Sequence, residues 1–461
     1  MTAKAAYGVA ALNLNLTRDL CDFLSRVRYE DLPPKAVHEA KRGLLDWIGC
    51  ALAGSRHTTI DKLVAVLRSV GSQPQATVFG RGLKLGLLEA PIANGQMGHL
   101  LDFDDTHMGG VVLHASSPIL SALFALGDRA PSDNKPVDGK NLIAAYIAGF
   151  EAGVRTGQAS PRHHDGGWHL TGTLGTVAAG AAAGRLIGLD ARKLTYALGI
   201  AATQAAGMQQ NRGTSCKSLH AGKAGSGGVL AALLAEQGFD SSAEIIEGKR
   251  GFARIYSTEA DPEALTAELG SRWEITRNGY KPYACGVVLH PLIDAVIAAA
   301  KKAGSPADAV RAIELQVHPH AVKITGVDDP QSGLMAKFSI NHAAAVAYID
   351  GNAGIAQFSD ARAADPGVLA LRRKIAVDTV ESFGKDEARA TVVTTEGARH
   401  EVHVRHASGT VANPMSDAAL ETKFMGNAVP VLGSERARKV VDLAWRLDTL
   451  ADIRDIIQTC A

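Results

Sequence analysis

The chain has 461 residues, 46% of them hydrophobic and 21% charged, enough to fill a core and to divide into two or three domains. Its 48 Lys and Arg balance 47 Asp and Glu; a net charge of +1 argues against nucleic acid or a membrane surface as partner. Five scattered cysteines (Cys21, Cys50, Cys216, Cys285, Cys460) form no Cys-x-x-Cys pair, which argues against a zinc site or disulfide framework and for a reducing compartment.

The first sixteen residues lack the apolar core and cleavage site of an export signal. No run of about 18 apolar residues occurs, so no membrane span is expected and the expected location is the cytoplasm. Residues 17–29 read as a first helix with Thr17 as N-cap. A longer helix follows, with proline at its start and Gly54 at its end. Its apolar positions Val37, Leu44, Leu45, Ile48 and Leu52 share one face. A third helix begins near Thr59, and Ala76–Gly80 reads as extended.

The segment 90–101 predicts a helix that runs into H-L-L-D-F-D-D-T-H-M-G-G-V-V-L-H-A-S-S-P, residues 99–118. This stretch holds Asp102, Asp104, Asp105, Thr106, His99, His107 and His114. Each residue type is ordinary near a helix end. Together they are the usual equipment for proton transfer near neutral pH. Apolar helices follow from Pro118 and Asn141. A polar loop with His163, His164, Trp168 and His169 then feeds a helix of small residues, and Asp190 caps the next. The segment N-R-G-T-S-C-K-S-L-H-A-G-K-A-G-S-G-G reads as a loop carrying Lys217, His220 and Lys223 into a further helix.

After about residue 268 the pattern becomes mixed. Ala312–Pro319 alternates as a strand should, and 374–382 and 390–406 read as strands, the latter a hairpin around Glu396-Gly397. Helices are expected at 286–303 and 336–350 and again from about 415. The expected fold is mainly α: a large all-helical domain (1–268 and the C-terminal return 413–461) plus a smaller α+β domain over 269–412.

Two motifs fail on spacing. G-K-A-G-S-G-G lacks the phosphate-loop pattern and a preceding strand. The aspartates lack the D-D-x-x-D spacing of magnesium-binding prenyl-diphosphate enzymes. No metal and no cofactor is expected. His318 and His320 read as structural.

The segments L-L-D-F-D-D-T-H, G-W-H-L-T-G-T-L-G, K-S-L-H-A-G-K-A-G, Y-K-P-Y-A-C and K-F-S-I-N-H occur in this order. That set resembles the MmgE/PrpD family, which includes 2-methylcitrate dehydratase, cis-aconitate decarboxylase and iminodisuccinate epimerase. The resemblance implies a helical domain with an α+β lid, a homodimer, and a small-molecule carboxylate substrate. It implies Asp102, His114, His169 and Lys217 as catalytic residues. Thr106, His107, His220, Lys281 and His342 are the expected substrate-binding residues. Two positions depart from the decarboxylase pattern: its histidine five residues after the lysine at 281 falls on Gly286, and its tyrosine falls on His342.

The chemistry expected from the resemblance is cofactor-independent proton abstraction beside a carboxylate of a small polycarboxylate. A hydro-lyase, 2-methylcitrate dehydratase-like, ranks first. An epimerase or isomerase of a dicarboxylate such as iminodisuccinate ranks second, and a cis-aconitate-type decarboxylase third. A non-catalytic carboxylate-binding homodimer is the alternative of another class.

Overall fold

A computed structural model describes residues 15–129 and 136–461, so most of the N-terminal segment read for an export signal lies outside the described residues. The chain is mainly helical, as its apolar helical patterns predict. The first helix, α1, runs Leu16–Arg26. Thr17 is not its cap: it lies in the first turn, where its hydroxyl and N–H both turn to the Glu247 carboxylate. A long-range buried acceptor has displaced the local capping role.

Helix α2 (Pro34–Gly54) begins with proline in its first turn, and Leu44, Leu45, Ile48 and Leu52 are fully buried along it. Burying each stabilises the fold by about 1.5–3 kcal/mol. Helix α3 (Thr58–Ser69) leads to the short antiparallel pair β1 (Ala76–Val78) and β2 (Leu83–Leu85). Helix α4 (Glu89–Leu100) is buried along most of its length. Strand β3 (Thr106–His107) precedes α5 (Ser116–Asp128) and α6 (Gly139–Gln158).

The small-residue helix is α7 (Leu170–Leu186), and α8 (Ala191–Ala202) follows, its first turn capped by Asp190 accepting from the Lys193 N–H. The glycine-rich segment expected as a loop is instead the first half of α9 (Ser215–Glu236), so Lys217, His220 and Lys223 stand on a helix. The glycines are packing contacts rather than turns. A Cβ at Gly222 would stand 2.1 Å from the Ile92 carbonyl oxygen of α4, and one at Gly228 would stand 2.4 Å from the Ala179 Cβ of α7. Close backbone approach needs glycine there, and tertiary packing offsets its weak helix propensity.

Downstream, β4 (Asn278–Gly279) pairs antiparallel with β3, setting Thr106 opposite Gly279 and His107 opposite Asn278. This pairing carries Lys281 toward the segment around residue 102. The strands β5 (Val310–Val317), β6 (Ile375–Thr379), β7 (Ala388–Thr394) and β8 (Arg399–Val404) form a sheet in the order β6-β5-β7-β8. β5 and β6 are parallel and the other pairs antiparallel. The helices His290–Ala303 and Ile340–Asp350 start four residues later than expected. The chain returns to helix over Asp417–Leu432 and Ser434–Trp445. One buried apolar cluster spans α1 to α9 and the C-terminal helices; a second gathers residues 284–392 with Cys50, Leu101 and Phe103. No helix among the described residues is long and apolar enough to cross a membrane.

Candidate active site

The site begins where α4 ends. Asp102 takes a left-handed backbone conformation, φ 51°, which aspartate tolerates better than most residues. The chain then runs through β3 and reaches α5, whose first-turn serines point back at the same aspartates. All three aspartates are buried, yet each has a different environment.

Asp102 is the partner of two lysines. The Lys217 ammonium donates to its Oδ1 at 2.8 Å, and the Lys281 ammonium donates to Oδ1 and to the Asp102 carbonyl, both at 3.0 Å. Burial opposes its charge, but Lys217 and then Lys281 overcome that and hold the carboxyl well below the usual carboxylate range. Its Oδ2 has no partner among the described residues.

Asp104 holds histidine. Its Oδ2 lies 2.9 Å from His99 Nδ1 and accepts from the Ser117 hydroxyl at 3.1 Å, and its Oδ1 lies 3.6 Å from His114 Nδ1. Burial again works against the charge; the neighbouring His99 and His114 more than reverse it, and the carboxyl is held low. Asp105 has the opposite fate. Burial, with Asp46 adding repulsion, pushes it up to about 8, so it carries its proton at neutral pH. Its Oδ2 accepts from Ser116 Oγ at 2.5 Å and Asn278 Nδ2 at 2.6 Å. This contrast sets an expected result. Asp105→Asn replaces one neutral group by another and shifts stability by no more than about 1 kcal/mol. Asp104→Asn removes an ionised acceptor and costs about 1.5–3 kcal/mol. Denaturant melts of the two variants check the ordering.

His114 sits just before α5. Its Nδ1 lies 2.8 Å from the Asp105 carbonyl and 3.0 Å from Thr106 Oγ1. A carbonyl can only accept, so Nδ1 carries the proton and Nε2 the lone pair. Burial pushes the ring down to about 3, only partly countered by Asp104, so His114 is a neutral base at pH 7. His169 precedes the first turn of α7, and its Nδ1 lies 2.9 Å from Nδ1 of His220 on α9. One ring must donate and the other accept, so that neither pair member has its Nδ1 free. Burial, then His99, holds His169 well below the ordinary histidine range and His220 down to about 4. The His99 ring lies between the two candidates, 4.7 Å from His114 and 5.4 Å from His169. Among the described residues no protein atom bonds Nε2 of His114 or His169.

Asp102, His114, His169, Lys217 and Lys281 line one cavity of about 350 Å³. His220 supports His169 from behind, and Thr106 supports His114. Two expected substrate-binding residues are placed elsewhere. His107 spends both ring nitrogens in the interior, on the Val111 carbonyl at 2.8 Å and Glu274 at 3.1 Å. His342, in the helix Ile340–Asp350, gives Nε2 to the Gln357 carbonyl at 2.8 Å. Neither ring reaches the cavity, because each is held by a partner remote in sequence.

The cavity adds residues to which the sequence reading gave no site role. Arg212 lines it just ahead of α9, its guanidinium lowered from the ordinary value by burial. His163 lines it too, pushed down to about 3 by burial, its buried Nδ1 without a partner among the described residues. The signal for both was their place in the polar segments that flank α7 and α9.

Among the described residues, His99, Asp104 and His114 are one group whose ligand atoms lie within 4.8 Å of one another. The set suits a hydrogen-bonded relay better than a metal. His114 Nδ1 is committed to a carbonyl, and His99 Nδ1 to Asp104.

A helical scaffold gathers two lysines, an arginine and neutral histidines around one cavity. Sequence comparison shows the family. The MmgE/PrpD N-terminal domain matches residues 18–265 and the MmgE/PrpD C-terminal domain residues 283–448. The chain belongs to the MmgE/PrpD family. It is 28% identical over 468 residues to a cis-aconitate decarboxylase of Aspergillus terreus, covering 96% of this chain and 95% of that protein. It is 25% identical over 452 residues to the human cis-aconitate decarboxylase, covering 95% and 93%. A 2-methylcitrate dehydratase of Cupriavidus necator is 25% identical over 390 residues, covering 77% and 76%.

Proposed function

We propose that this chain is a lyase that removes a proton from the carbon beside a carboxylate of a small polycarboxylate and then expels a β-hydroxyl, with no cofactor. The observation that carries the reading is the pairing of two neutral histidines, each with Nδ1 engaged and Nε2 open, in one cavity with Lys217, Lys281 and Arg212. The cations hold the substrate carboxylates. His114 takes the proton through Nε2. Negative charge then builds on the adjacent carboxylate, where fixed lysines stabilise it in a site largely shielded from water. His169, with Nδ1 accepting from His220 and its hydrogen on Nε2, hydrogen-bonds the departing hydroxyl, which leaves as water with the proton that His114 took. Loss of water needs both a base and an acid; the two-histidine arrangement supplies both. The 269–412 part closes over the substrate as a lid.

Decarboxylation is the second reading, favoured by the names of relatives that match along nearly the whole chain. It uses the same cations but needs only one proton donor.

Lys217→Ala tests the shared part of both readings. Asp102 keeps Lys281 in that variant, so the melt stays close to wild type while turnover of the polycarboxylate is abolished. A Lys217→Ala enzyme that retains turnover would sink the proposal.

A further inference from the structure

Behind the cavity lies a second, much smaller chamber. Its volume is about 10 Å³, and its walls include His99, Asp102, Lys217, Ser218, Lys337 and Phe338. Asp102, Lys217 and Phe338 line both spaces and form the partition between them. One water needs about 10–15 Å³, so the chamber has room for a water and for no organic ligand.

Three of its side chains carry hydrogen-bonding groups that the fold leaves unmatched. His99 is 1% exposed, and its Nδ1 lies 2.9 Å from Oδ2 of the ionised Asp104. A carboxylate only accepts, so Nδ1 carries the hydrogen, and in the neutral ring Nε2 is an acceptor. That Nε2 is buried without a partner among the described residues, and so is Oδ2 of Asp102, whose other oxygen takes both lysines. Lys337 is 3% exposed, with three ammonium hydrogens to place. Among the described residues its one hydrogen bond goes to the Ala284 carbonyl, at 2.6 Å. Ser218 has no hydrogen to spare, because its hydroxyl donates to the Ser215 carbonyl at 3.0 Å. Buried polar groups left unmatched in this way are costly.

Two acceptors and a surplus donor around so small a space define the occupant. A cation would meet the Lys217 and Lys337 ammoniums, and an anion would meet the Asp102 carboxylate. A neutral molecule that donates twice and accepts once fits all three groups. We infer that the chamber is a site for one water molecule, which donates to His99 Nε2 and Asp102 Oδ2 and accepts from the Lys337 ammonium. The water joins groups that make no direct hydrogen bond with one another. It also locks the His99 tautomer: an Nε2 that accepts keeps the hydrogen on Nδ1, toward Asp104, whose Oδ1 lies 3.6 Å from His114 Nδ1. His99 is thereby a positioning residue behind His114, and Lys337 holds the water rather than the substrate. The bearing on His114 rests on reading that residue as the base; the water site does not.

A high-resolution crystal structure of the full chain tests the site without turnover. The expected result is a single water peak within hydrogen-bonding distance of His99 Nε2, Asp102 Oδ2 and Lys337 Nζ. His99→Phe removes the acceptor and loses the peak. His99→Gln restores it, because the amide can donate to Asp104 while its carbonyl accepts from the water. Lys337→Met removes the donor, also loses the peak, and serves if the phenylalanine variant does not fold. Nitrogen NMR of the chain labelled at histidine reads the tautomer, with the His99 signals assigned by their loss in His99→Gln; hydrogen on Nδ1 is expected. A wild-type chamber with no peak, a peak that anomalous scattering marks as an ion, a peak that survives both His99→Phe and Lys337→Met, or hydrogen on His99 Nε2 in place of Nδ1 would each overturn the inference. Any of these would leave the reading of the large cavity standing.

Discussion

Turnover by a His114→Gln variant falls by about 10²–10⁴-fold, the usual contribution of a positioned general base, while its melt stays near wild type. Glutamine can keep a donor toward the Asp105 carbonyl, so the local hydrogen bond to the segment before β3 survives. It cannot accept and return a proton. The same residue fixes the pH dependence. The active form is the neutral ring, and burial holds His114 at about 3. Lowering the pH from 7 toward 5 therefore leaves the base unprotonated, and the acid limb of kcat/KM lies well below the ordinary histidine value of about 6.5. A limb near 6.5 in wild type, or full turnover by the glutamine variant, would remove His114 from the role of base.

Asp102→Asn is expected to cost about 3–5 kcal/mol of stability, because it strips the anion from two lysines that the fold has already desolvated. Lys281 is 1% and Lys217 11% exposed at the side chain, so water cannot replace the lost partner. Asparagine tolerates the left-handed backbone at this position, so the loss reports charge and not φ. A bound dicarboxylate supplies the missing negative charge, so succinate raises the melt of Asp102→Asn by more than it raises that of wild type. Chemical denaturation and thermal shift measure the two effects. A variant as stable as wild type would mean that the lysines are not held by Asp102.

Much of the helical order was legible because local patterns carry it. The proline start of α2, the aspartate cap of α8 and the alternation in β5 are properties of a few adjacent residues. The grouping of Asp102, His114, His169 and Lys217 was legible only through the resemblance to a family. What adjacency could not show was how the three aspartates divide. Asp102 meets Lys281 across 179 residues, and Asp105 meets Asn278 across 173. Both meetings depend on the pairing of β3 with β4, two-residue strands with no periodicity to read. The start of α9 was misread for a related reason: its glycines look like loop residues until α4 and α7 are seen lying against them. His107 and His342 carried a resemblance-based expectation, but Nε2 of each ring is taken, by Glu274 and by the Gln357 carbonyl, partners that no local pattern announces.

The most direct measurement is proton NMR of the purified chain in D₂O with 2-methylcitrate, citrate, cis-aconitate and iminodisuccinate. A new vinyl signal from one of the hydroxy acids, absent with His114→Gln, is the predicted result. Bound acids that neither exchange a proton for deuterium nor change in any other way would contradict the account and leave a carboxylate-binding protein.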